Sequence, residues 1–146
     1  MEKMNDNGLA LAALSDLKYK VLKVVSLDGV EDVFLMETPV GKQITVKFHK
    51  SGKPTGAKGK QAQRHRYGIT YPLPIEVELV VFWAKDEDIV FVVPLNWLAD
   101  LLNQSTPTIR NNNQWEVHIT FGDVQEIQPT GCEPKSLTEF VHYPKG

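Results

Sequence analysis

Two nearly unbroken apolar runs, Ile-Glu-Val-Glu-Leu-Val-Val-Phe-Trp at residues 75–83 and Ile-Val-Phe-Val-Val at 89–93, constrain this chain more than any other feature. They are rich in β-branched and aromatic residues, and they are separated by the polar turn Lys85-Asp86-Glu87-Asp88. A strand that is apolar on both faces has to be covered on both, so these runs predict the centre of a sheet rather than its rim. They are also too short to cross a bilayer as helices. At 146 residues with 42% hydrophobic content, the chain has the size and core of one domain.

The neighbouring elements read more quietly. Leu9, Ala12, Ala13, Leu17 and Val21 approach helical spacing, which predicts a helix over 9–17, with Asp6 or Asn7 as N-cap, running into an extended piece at 20–25. Residues 26–29 have turn composition, and 32–37 read as a strand. After a turn at Pro39 and Gly41, residues 42–49 alternate strictly: Ile44, Val46 and Phe48 face one way, and Gln43, Thr45, Lys47 and His49 the other. This predicts a hairpin whose second strand has one buried and one polar face. A flexible loop is expected over 51–59, a short helix over 97–102 with Leu98, Leu101 and Leu102 inward, a loop over 105–113 and a strand over 115–121. The last 25 residues look irregular. Trp83 and Trp97 read as core, and Trp115 as either core or platform.

Charge is distributed unevenly. Between Thr38 and Pro74 stand Lys42, Lys47, Lys50, Lys53, Lys58, Lys60, Arg64 and Arg66, with no Asp or Glu. The remainder holds 8 of the 16 basic residues and all 18 acidic ones, so 8 minus 18 leaves it at −10. Such a split points to a polyanionic partner for the basic segment, against the plainer reading of a lysine-solvated loop. Arg64-His65-Arg66-Tyr67 adds guanidinium groups and rings suited to phosphate contact and base stacking, or else forms a charged entry to a strand. The single cysteine, Cys132, excludes an internal disulfide framework and a thiolate metal cluster, and it is the usage expected in the cytoplasm. The polar start shows neither a signal nor an anchor. His49, His65, His118 and His142 lack spaced partners for a metal, and no glycine-rich phosphate loop or Ser-His-Asp pattern is present.

The order helix, strand, strand, strand, with Val30-Glu31-Asp32-Val33-Phe34-Leu35 followed by Gln43-Ile44-Thr45-Val46-Lys47, resembles the front half of a PD-(D/E)XK nuclease domain, above all its small homing-endonuclease-like members. The resemblance covers residues 8–102 as a pattern of elements plus these two short motifs. It implies an α/β fold, a mixed central β-sheet flanked by helices. It also implies a metal-dependent DNA endonuclease with Asp32 as Mg²⁺ ligand, Lys47 as catalytic lysine and Gln43 or Thr45 completing the site. Mg²⁺ takes hard oxygen ligands and activates a water, and a lysine beside that water stabilises developing charge. Lys50, Lys53, Lys58, Lys60, Arg64 and Arg66 would grip DNA, and cutting a duplex implies a homo-oligomer.

The chain departs from that pattern at Thr45, which holds no carboxylate, and in the first helix, whose only acid is Asp16. Glu37 stands close on the facing strand but has the wrong parity relative to Asp32. The same fold with its metal site lost, kept for DNA binding or assembly, is the alternative. Asp32 itself reads equally as a turn or strand-edge residue.

Overall fold

The computed structural model describes residues 8–27, 30–51, 64–70, 76–84, 87, 89–105, 114–122 and 124–143. Helix α1 (Gly8–Asp16) leads into an antiparallel meander of β1 (Lys20–Leu27), β2 (Val30–Glu37) and β3 (Gln43–Ser51). Next come β4 (Arg64–Thr70), β5 (Leu79–Ala84), β6 (Val90–Pro94), helix α2 (Leu95–Ser105), β7 (Gln114–Phe121) and β8 (Gln125–Pro129). Two-residue strands β9 (Lys135–Ser136) and β10 (Val141–His142) flank a 3₁₀ turn at Thr138–Phe140.

Among the described residues ten strands form two sheets. The first is mixed, in the order β1-β2-β3-β5-β6-β10, with β3 and β5 parallel and every other pair antiparallel. The second is antiparallel, in the order β4-β7-β8-β9. Of the apolar runs, β5 lies inside the mixed sheet and β6 beside its last, two-residue strand, and burial on both faces explains their composition. Val81, Trp83 and Val90 pack with Phe34, Met36, Ile44, Val46 and Phe48 beneath Ala10, Ala13 and Leu14 of α1. On the opposite face Val80, Phe82, Phe91 and Val93 meet Tyr67, Ile69, Trp115, Val117 and Ile119 of the second sheet, together with Leu98, Leu101 and Leu102 of α2. The layers are therefore α1, mixed sheet, then second sheet with α2. The class is mixed α/β, dominated by strand.

Several elements depart from expectation. Helix α2 runs from Leu95 to Ser105, longer than the stretch around its three buried leucines. β1 continues through Ser26 and Leu27, where a turn was expected. β5 starts at Leu79, because Val77 and Glu78 come before the ladder and Glu78 N–H donates to the Thr45 carbonyl at 2.8 Å. Residues 64–70 form a full strand rather than an entry to one, and the tail contributes β8, β9 and β10. The proposed N-cap residues Asp6 and Asn7, most of the 51–59 loop, most of the 85–88 turn and most of the 105–113 loop lie outside the described residues.

Turn chemistry is explicit at two places. At 38–42 the Thr38 N–H donates to the Lys42 carbonyl at 2.7 Å, and Gly41 takes φ +84 to close the hairpin. At the end of α1 the Tyr19 N–H reaches the Leu14 carbonyl at 2.9 Å, the six-to-one bond of a Schellman end, with Lys18 in the left-handed position at φ 69. A lysine there pays a steric penalty that glycine avoids. Lys18→Gly should therefore raise the stability read from a urea midpoint by about 0.5–1 kcal/mol.

Candidate functional site

Register decides which candidate residues share a surface. Val33 pairs with Lys47, Leu35 with Thr45 and Glu37 with Gln43, while across the parallel ladder Lys47 pairs with Val80 and His49 with Phe82. Gln43, Thr45, Lys47 and His49 thus all lie on the side of the mixed sheet that turns toward the second sheet. The face expected to be polar and solvated is half covered: Thr45, Lys47 and His49 are partly buried, and only Gln43 at the strand's start is exposed.

Among them His49 meets an aromatic ring. Its ring stacks on Phe82 with centroids 5.1 Å apart and planes 18° from parallel. Burial, reinforced by the Lys47 ammonium, holds its pKa down to about 3, so the ring is neutral at ordinary pH. Tyr67 of β4 packs edge-on against Phe82 at 5.2 Å, and its hydroxyl donates to the Trp83 carbonyl at 2.8 Å. Burial and the Glu87 carboxylate push the Tyr67 phenol well above its usual range. His65, 1% exposed, points inward from β4, with Nε2 2.9 Å from Glu87 Oε2. A carboxylate only accepts, so the contact is a hydrogen bond in the tautomer that carries its proton on Nε2. The sequence offers no local signal for that pair, because its members are 22 residues apart.

Asp32 sits elsewhere in kind. Between the pairs Val25↔Val33 and Leu27↔Val30, β2 carries one residue more than β1, and Asp32 takes φ 56 within that bulge, exposed. The donor set for a Mg²⁺ ion can be tested against this geometry. Gln43 is four residues from Lys47 along an extended strand, about 13 Å, and Glu37 lies opposite Gln43 at the same far end. Thr45 is nearer but offers only a hydroxyl. Among the described residues no group of three or more His, Cys, Asp or Glu is placed to hold a metal ion. Asp32, Gln43 and Thr45 do not make the oxygen cage that Mg²⁺ takes, and no metal-dependent step is derived from them.

The basic residues divide differently. Lys42 stands 3.9 Å from Glu78, both exposed. Lys50, at the end of β3, lies on the α1 side with Nζ 5.3 Å from the Trp83 ring centre. Lys53, Lys58 and Lys60 lie outside the described residues.

Arg64 and Arg66 project from the outer face of β4, since His65, Tyr67 and Ile69 take the inner one. An Arg64 Nη donates to Gln128 Oε1 at 3.1 Å, and Arg66 is opposite His118 in the ladder. Burial, then the Arg64 charge, lowers the His118 pKa against the opposing pull of Glu116, with Arg66 adding to the lowering. The second sheet therefore presents two guanidinium groups on a polar ledge with Thr120 and Gln128. His142, dismissed as a ligand, has Nε2 3.5 Å from Asp16 Oδ2, tying β10 to the end of α1.

No family model matches the chain, and neither a curated protein nor a solved structure is significantly similar to it. No helix among the described residues is long and apolar enough to cross a membrane.

Proposed function

We propose that this chain is a nucleic-acid-binding module built on an endonuclease-like sheet, holding the phosphate backbone rather than hydrolysing it. The observation that carries this reading is the outward placement of Arg64 and Arg66 on β4. With Lys50 at the end of β3, they bracket in the chain the segment that contributes Lys53, Lys58 and Lys60. Guanidinium groups bind phosphate oxygens through paired N–H donors, and the Gln128 bond fixes one of them in orientation. What supports the endonuclease-like resemblance is a helix leading into a three-stranded meander with Lys47 on its third strand. What supports binding over cleavage is the exposed bulge position of Asp32 and the missing acid at Thr45. The paired strands of a duplex would suit two copies of the chain, one to each strand.

Anisotropy titrations against duplex DNA over a range of salt test the reading. Affinity should fall steeply with salt, and Arg64→Ala with Arg66→Ala together should flatten the logarithmic slope by about 2, close to one released counterion for each lost contact. Binding that ignores both salt and the two arginines, or no binding at low salt, would sink it. Mn²⁺-dependent nicking of plasmid by the parent, lost in Asp32→Ala, would restore the nuclease reading.

A further inference from the structure

The mixed sheet ends at β1, which has β2 on one side and, among the described residues, no strand on the other. An outer strand leaves every second N–H and C=O of its backbone pointing away from the sheet, a template for one more strand. β1 is also unusual in what it shows to solvent. Val24 is 70% exposed, and Val21 and Leu22 are each 39% exposed.

A bulge explains how these residues line up. Between the pairs Val21↔Met36 and Lys23↔Leu35, β1 carries one extra residue, so Val21 and Val24 both fall on the α1 side, beside Met36 and Phe34. Leu17, just after α1, is 36% exposed as well. On the strand's other face stand exposed Lys20 and Lys23, opposite Glu37 and Leu35, and exposed Lys18 lies just before the strand. Residues 17–27 contain those three lysines and no Asp or Glu, in a chain whose formal net charge is −2.

We propose that β1 is a docking edge for an extended, acidic segment of a partner protein, added as a further strand with alternate apolar side chains on the Val21 and Val24 face and carboxylates on the Lys20 and Lys23 face. Main-chain pairing supplies affinity in such additions, and alternate side chains supply specificity. Charge selects the occupant. A second copy would bring three more lysines to the same edge and repel, and phosphate backbone gains nothing from exposed valines.

The probe is a capped peptide of alternating valine and glutamate, the length of β1, with a valine–lysine peptide as its control. Binding to the full chain is read by titration calorimetry and by backbone amide shifts. The glutamate peptide should bind at least tenfold more tightly than the lysine peptide, with the largest shifts along Lys20–Leu27. Lys20→Glu with Lys23→Glu, at exposed positions that leave the core intact, should reverse the preference. Val24→Pro, which places a proline in the outer strand, should abolish binding while the parent's circular dichroism is retained. Equal affinity for the two peptides, no binding of either, shifts centred on another element, or sedimentation showing self-association through β1 would each overturn the proposal.

Discussion

Lowering the pH from 6.5 to about 4 should cost the folded chain about 3 kcal/mol through His49 alone. The direction follows from where the proton goes. Above 6.5 the ring is neutral in both the folded and unfolded chain, and pH has no leverage through it. Below 6.5 the unfolded chain takes up a proton that the folded chain refuses until about pH 3, because the ring is buried beside Lys47. The loss therefore accumulates at about 1.4 kcal/mol per pH unit across that window and levels off beneath it. His49→Phe keeps a ring on Phe82 and removes the titration. Urea unfolding of parent and variant at a series of pH values isolates the effect, since every other acid and base is common to both. The two curves should diverge below pH 6.5, the variant being the more acid-resistant. Parallel curves would show that His49 is solvated.

Phe82→Ala should destabilise the fold by about 3–5 kcal/mol, comparable with much of the total stability of a domain this size. Phe82 is fully buried, pairs with Phe91 across the ladder, and receives His49 and Tyr67 on its ring. Its loss opens a cavity in the layer that joins the two sheets. Thermal melts should show an early transition, and the His49 pKa should rise toward its ordinary value as water enters. A variant as stable as the parent would mean that the second sheet does not rest on this ring.

The sequence made some of this architecture visible and hid the rest for physical reasons. Ile44, Val46 and Phe48 announce β3 because α1 covers one side of it, and the apolar runs announce β5 and β6 because both of their sides are covered. β4 was hidden by its own chemistry. Its inward residues include His65 and Tyr67, polar groups satisfied by Glu87 and the Trp83 carbonyl from across the fold, and a reading of neighbours cannot supply such partners. With β4 unplaced, Lys47 and His49 looked solvent-facing.

The tail strands are too short, and too broken by proline, to carry a period. The setting of Asp32 was hidden in another way. Its meaning depends on a backbone bulge set by the register of β1 against β2, and one-dimensional spacing does not record register. Of the candidate site, Thr45 and Lys47 do share a face, whereas Gln43 stands at its far end and Asp32 on a bulge. Arg64 and Arg66 were legible as a basic pair, but that they share the outer face of β4 was not.

The chain leaves the mixed sheet after β3, lays β4 into the second sheet, and returns to pair β5 in parallel with β3. β4 waits for its own partner, β7, until residues 114–121 have been made. On a ribosome, then, the first hairpin can close early from nearby contacts, while the inner side of β5 stays bare until much later synthesis brings its cover. Folding of this molecule is governed by distant pairings and should be slow. The interval before β7 arrives is when Val80, Phe82 and their neighbours are most open to aggregation, and when a chaperone would have most to protect.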